Sequence, residues 1–300
     1  MNQLRYSLFI LAGACSYGFQ ASIVKLATNA GYPAGQMTGS QYIFGLLLMI
    51  IPFMITKRIK LQVKQIVPLL GLGVLLSLTG VFYATSIQEL SASIAIVLLF
   101  QFTWMGILIE SVYLKAFPSV TKIISAVLLW AGTLLAAGIS SEGINWADHS
   151  KGFISGFLAA LTFALFIFFS GKTGKEVPAI QKSFVISIGG LVTACLFVSP
   201  AFVIDGTMTG GLWKYGLLVG LLGVLVPVVL FALGTPYVDS GMATILGAAE
   251  LPAAMIGAMF IVGEHLTGEQ GAGIVLILIG IAVPQLRRSG RVRPKQLSSS

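Results

Sequence analysis

Charge is what this sequence has least of. Only 9% of its 300 residues are Asp, Glu, Lys or Arg, where a soluble domain carries about 25%. That scarcity excludes a soluble globular domain anywhere in the chain. Histidine occurs twice, at His149 and His265, and neither has a His, Cys or acidic partner at metal-ligand spacing, so no metal site is expected. Cys15 and Cys195 both fall inside apolar runs and read as small buried hydrophobes rather than a disulfide. There is no Gly-rich phosphate loop, nucleophile elbow or His-Asp pair. Catalytic residues and a bound cofactor are therefore not expected, and ATP-driven transport would need a separate subunit.

What the chain has is apolar length. Hydrophobic residues make up 56% of it and the mean hydropathy is +0.95, the mark of an all-α integral membrane protein. Ten spans are predicted, over 4–27, 35–56, 66–87, 91–110, 119–139, 151–170, 178–199, 211–234, 240–262 and 268–286. Leu4–Leu26 is too long for a signal peptide and lacks a cleavage site. Loops are short, the longest exposed segments being Ser140–Ser150 and Pro200–Gly210.

The basic residues sort by side. Assigning loops alternately places 15 of the 18 Lys and Arg on the side of the termini, leaving Lys25, Lys151 and Lys214 opposite. The positive-inside rule then puts both termini in the cytoplasm of a cell-membrane protein. The net charge of +8 is thus topology and contact with anionic lipids, and no nucleic-acid partner is expected. Residues 287–300 read as a basic, disordered cytoplasmic tail.

One acid stands apart. Glu250 falls near the middle of the ninth span, two residues before Pro252. A charge at that depth costs roughly 2.5–3.5 kcal/mol on insertion scales, so it needs a partner, water or a proton. It shares a helical face with Ala243, Gly247, Ala254 and Gly257, small residues that point toward protein rather than lipid. Six neutral residues could join it in lining a solute cavity: Tyr17, Gln20, Gln41, Tyr83, Gln101 and Trp104. Each has an alternative use in hydrogen bonding between helices, and Glu250 has one at a packing interface. With no Lys or Arg at matching depth, Glu250 is expected to carry a proton for part of a cycle, bonded to Tyr83, Gln101 or Gln41. If it also faces the cavity, it can bind a cationic or zwitterionic solute, exchange a proton for it, or do both; the sequence does not decide between proton coupling and facilitated diffusion. Glu110 is expected to pair with Lys115, Lys25 to reach into the headgroups, and Glu264 to fix a turn.

The two halves look alike. A shift of 148 residues lays Ala84 on Ala232, Ala95 on Ala243, Ser119 on Thr267 and Gly132 on Gly280, and a shift of 146 lays Tyr17 on Phe163. Five spans per copy is odd, so the copies, 1–147 and 148–286, run in opposite senses through the bilayer. Small-residue stripes at Gly73, Ser77, Gly80 and Ala84, at Ser183, Ser187, Gly190 and Ala194, and at Gly216, Gly220 and Gly223 mark close helix packing.

Glu250-x-Pro252, then Gly263-Glu264-x-x-Thr267 and a Gly-rich span, resembles the second repeat of EamA-type proteins in the drug/metabolite transporter superfamily. In the first half, Ile23-Val24-Lys25-Leu26-Ala27 resembles the end of the family's first span. The chain departs from the pattern at Ser40-Gln41-Tyr42, where many members have Arg, and at Leu114–Ser119, which keeps Pro-Ser but lacks Gly-Glu. The resemblance implies ten transmembrane helices in two inverted five-helix repeats. It also implies a secondary transporter, often an exporter, that moves an amino acid, metabolite or drug by alternating access. An integral membrane enzyme acting on lipid-linked substrates, and a scaffold, are the alternatives. The first lacks clustered polar residues at one membrane face and the second lacks a soluble domain. The oligomeric state is not legible.

Overall fold

The structure, a computed structural model, describes residues 2–138 and 149–289. Ten helices among them are long and apolar enough to cross a membrane. They are Gln3–Asn29, Ala34–Ile55, Val63–Glu89, Ala92–Leu114, Val120–Ala137, Ser150–Ser170, Ala179–Phe197, Met208–Tyr237, Ser240–Val262 and Gly268–Gln285, first to tenth in chain order. Each matches an expected span to within a few residues. Most of the expected loop 140–150, and the tail beyond Ser289, lie outside the described residues. Pro200–Gly210, expected to be an exposed loop, is anchored by Phe202, which is buried against Gly39 of the second helix.

Hydrocarbon leaves no water for backbone groups, so each span must be helical and associate through close packing. Glycine supplies the closest approaches. A Cβ on Gly73 would collide with the backbone of Ile186, Gly189 and Gly190, which brings the third helix onto the seventh. Gly216 and Gly220 seat the eighth helix against Phe44 and Gly45 of the second. Gly80 of the expected third-helix stripe meets only Thr38 Cγ2, at 3.7 Å.

The neighbour relations have the symmetry of an inverted repeat. The third helix packs on the sixth and seventh, as the eighth packs on the first and second. Second meets seventh, fourth meets ninth and fifth meets tenth. On the last contact Gly132 lies against Ile277 and Gly273, while Gly280 lies against Leu128 and Leu129.

Two helices break in mid-span. The fourth divides into Ala92–Leu99 and Phe102–Leu114, the ninth into Ser240–Gly247 and Glu250–Gly257. Phe100 and Ala248 mark the breaks, at the same offset of 148 residues that relates the halves. In the ninth helix the cause is Pro252, which has no N–H for the carbonyl of Ala248 and crowds it. The fourth helix has Trp104 in place of that proline. There Gln101 donates its side-chain Nε2 to Val97 O at 2.7 Å, while its backbone N–H turns to Leu98 O. The N-caps match too: Ser91 accepts from Ile94 N–H and Asp239 from Met242 N–H.

Candidate functional site

Glu250 opens the second half of the ninth helix, immediately after the break. Every residue from Gly241 to Ala249 is buried, and Glu250 is the first to keep part of its surface open. Its backbone is covered: a Cβ on Gly18 of the first helix would strike the carbonyl oxygen of Glu250 and Ala253 Cβ. The residue is therefore covered on the side of the first helix and keeps part of its surface open. The hydroxyls of Tyr17 and Tyr83 lie within electrostatic reach of its carboxylate. Among the described residues no hydrogen bond or ion pair reaches that carboxylate.

Tyr17 carries the site into an aromatic cluster that sequence reasoning missed. Its ring meets Phe163 edge-on at 6.0 Å and Phe231 at 6.1 Å. Phe102 meets Phe163 at 4.8 Å, and Phe166 lies 6.2 Å from Phe231. Phe102, Phe166 and Phe231 are wholly buried. The first, fourth, sixth and eighth helices thus join in one apolar wall at the level of the breaks. The buried Tyr17 hydroxyl has no hydrogen-bond partner among the described residues. A lone Phe inside an apolar span gives no sequence signal, since most such residues simply face lipid or core.

The expected site residues fall into three groups rather than one. Tyr17 and Tyr83 lie within electrostatic reach of Glu250. Gln101 and Trp104 bond one another, Trp104 Nε1 donating to Gln101 Oε1 at 2.7 Å, so that amide is committed to the fourth-helix break. Gln20 and Gln41 meet elsewhere. Gln20 Nε2 donates to Gln41 Oε1 at 2.5 Å, and Gln41 Nε2 donates to Gly223 O at 3.3 Å. Gly223 lies in a π-helical turn, Leu221–Leu225, of the eighth helix. Pro227 leaves its carbonyl without the usual N–H four residues on. Ser16 Oγ donates to the neighbouring Leu222 O at 2.7 Å. These side chains satisfy backbone groups where no water can. Among the described residues, none of the expected hydrogen bonds from Glu250, to Tyr83, Gln101 or Gln41, is made.

The expected ion pairs also change partners. Glu110 pairs with Lys122, not Lys115, and Lys122 Nζ reaches Asp239 Oδ1 at 2.6 Å. Lys25, expected to extend into the headgroups, pairs with Glu264. Lys182 is 1% exposed and donates to Ser170 O and Thr173 O, at 2.6 and 2.9 Å. It caps the C-terminal end of the sixth helix, where the macrodipole favours a cation. No group of three or more His, Cys, Asp or Glu among the described residues could hold a metal ion.

The family model described as EamA-like transporter family matches twice, over residues 4–138 and 150–283. The chain belongs to that family. A curated relative from Archaeoglobus fulgidus, an uncharacterized transporter, is 29% identical over 220 residues, covering 72% of this chain and 75% of the relative. A solved structure, described only as the crystal structure of a protein, superposes with a TM-score of 0.77 over 97% of this chain and 100% of that one. At 16% identity it speaks for the fold alone. An EamA-like member with ten such helices is a multi-pass membrane transporter, and the two family matches correspond to its duplicated architecture.

Proposed function

We propose that this transporter is a secondary carrier that exports a small organic solute. Its two halves, residues 1–147 and 148–286, would alternate access to a cavity between them, with both termini in the cytoplasm of a cell-membrane protein. One observation carries the reading. Glu250 is a partly open carboxylate at a helix break, unpaired among the described residues, within electrostatic reach of the Tyr17 and Tyr83 hydroxyls, and Tyr17 belongs to an aromatic wall. A carboxylate there lacks a counter-charge, which a solute can bring. A zwitterion or an organic amine fits best: its ammonium group meets Glu250 and its apolar body lies on Tyr17 and Tyr83. Without solute the same carboxyl group holds a proton, so the two exchange and transport is proton-coupled. Export follows the family resemblance, and the basic loops would face anionic lipids of the inner leaflet.

Proteoliposomes screened with amino acids and organic amines test this. The reading expects uptake of at least one of them to be driven by an imposed pH gradient and abolished by Glu250→Ala. Uptake that ignores the gradient and survives Glu250→Ala would refute it.

A further inference from the structure

We infer that Glu110, Lys122 and Asp239 form a latch that holds the pathway shut at the end of the bundle bearing the basic loops. The structure would then be the state closed at that end and accessible from the other. This rests on the carrier reading above and adds to it a gate.

The three groups come from both halves of the chain. Glu110 sits on the second part of the fourth helix and Lys122 in the first turn of the fifth, while Asp239 caps the ninth. Lys122 bridges the two acids, and the side chains of Glu110, Lys122 and Asp239 are only 7%, 17% and 24% exposed. Breaking one arm leaves a poorly solvated charge unpaired, which makes such a cluster a firm closure. Glycine brings it together: a Cβ on Gly241 would meet Glu110 Oε2 at 2.6 Å and Lys122 Nζ at 3.1 Å. One turn deeper, Gly106 lies against the side chain of Thr244. The second part of the fourth helix is thus sealed onto the first part of the ninth.

Beyond the breaks the same two helices part. Ala92–Leu99 leans on the fifth and sixth helices, and Glu250–Gly257 on the first and tenth. These segments make no extensive packing contact with one another among the described residues. The pair forms a V, joined at the basic end, with Glu250 where the arms diverge.

Exchanging the repeats shows that the latch is one-sided. At the offset of 148 residues Asp239 becomes Ser91, Glu110 becomes Ala258 and Lys122 becomes Gln270. Ser91 keeps the capping role without the charge. In an inverted-repeat carrier the two access states come from the repeats trading conformations. An ionic seal at one end and a neutral one at the other biases the resting protein toward the state closed at the ionic end. The exposed Lys25–Glu264 pair at the opposite end ties the first helix to the turn after the ninth, and does not cross between the fourth and ninth.

The test is thiol labelling of the full chain in lipid nanodiscs, both faces accessible, with Cys15→Ala and Cys195→Ala as background. Thr244→Cys reports the sealed end, and Ala254→Cys, one turn beyond Glu250 and half-buried, reports the open one. With the latch intact a charged maleimide should label position 254 and spare position 244. Adding Lys122→Met should speed labelling at 244 by about tenfold and slow it at 254. Asp239→Asn, which retains the cap, should shift both rates in the same directions by less, and stands in if Lys122→Met does not fold. Unchanged rates overturn the latch. Faster labelling at 244 with no change at 254 also overturns it, because that is local loosening. Neither readout needs a solute, so a failed transport screen bears on the carrier reading and not on the latch.

Discussion

Phe102 and Glu250 hold the same place in their repeats, and the repeats use it differently. Each is the first residue after a mid-span helix break, at the offset of 148 residues that relates the halves. Phe102 is wholly buried against Phe163, while Glu250 is partly open and unpaired. The repeats share one scaffold, and at this place one carries a phenyl ring and the other a carboxyl group.

Close glycine contacts set the helix spacing. Gly73→Val would drive its side chain into the backbone of Ile186 and Gly190, and should destabilise the protein by about 1–3 kcal/mol. Gly71, with nothing within 4 Å of an added Cβ, is the control. Gly71→Ala should stay within about 0.5 kcal/mol. Thermal unfolding of the purified protein in detergent separates the two, and equal losses would mean that the third and seventh helices do not touch as described.

Gln41 serves the eighth-helix π turn. Gln41→Leu strands Gly223 O and removes the partner of Gln20 Nε2. A loss of about 1–3 kcal/mol is expected, the desolvation cost of a buried polar group left unpaired. Gln41→Glu keeps the acceptor for Gln20 but removes the donor to Gly223 O and brings a costly carboxyl group between the helices, so it should lose at least as much. If Gln41→Leu unfolds at the wild-type temperature, the carbonyl has another donor.

A small pH effect should come from the loop after the sixth helix. Gln65 Nε2 donates to Glu176 Oε1 at 2.7 Å, and this bond holds the Glu176 carboxyl below the usual carboxylate range. A depressed value in the folded state adds stability above the unfolded value, near about pH 4.3, that is lost as pH falls through the folded one. Gln65→Ala should therefore narrow the gap to wild type as the buffer is taken from neutral to acid. A gap that widens on acidification would reverse the sign.

The sequence shows the scaffold well and the site poorly, for physical reasons. Ten spans are legible because lipid demands some twenty apolar residues each, and Glu250 is legible because an acid there is costly. Pro252 and Pro227 are visible signals for the ninth-helix break and the π turn, since each strands the carbonyl four residues earlier. What answers those carbonyls is not visible. Gln41 serves a backbone group far along the chain, and Gln101 serves one in its own helix; in sequence both look like cavity polar groups. Lys182 counts toward the charge bias like any loop lysine, and only the fold shows it buried against Ser170 O. Lys122 and Asp239 are distant in sequence, so the nearer Lys115 looks like the natural partner for Glu110.

The most direct test of the central claim is transport by Glu250→Gln over roughly pH 5 to 8, where a titrating carboxyl group and an amide must differ. In proteoliposomes with a solute that the wild type accumulates down a pH gradient, the variant should keep a folded structure and some solute binding. It should lose gradient-driven accumulation altogether. If Glu250→Gln accumulates solute like the wild type across that range, Glu250 is a packing residue and proton-coupled exchange at this site is contradicted.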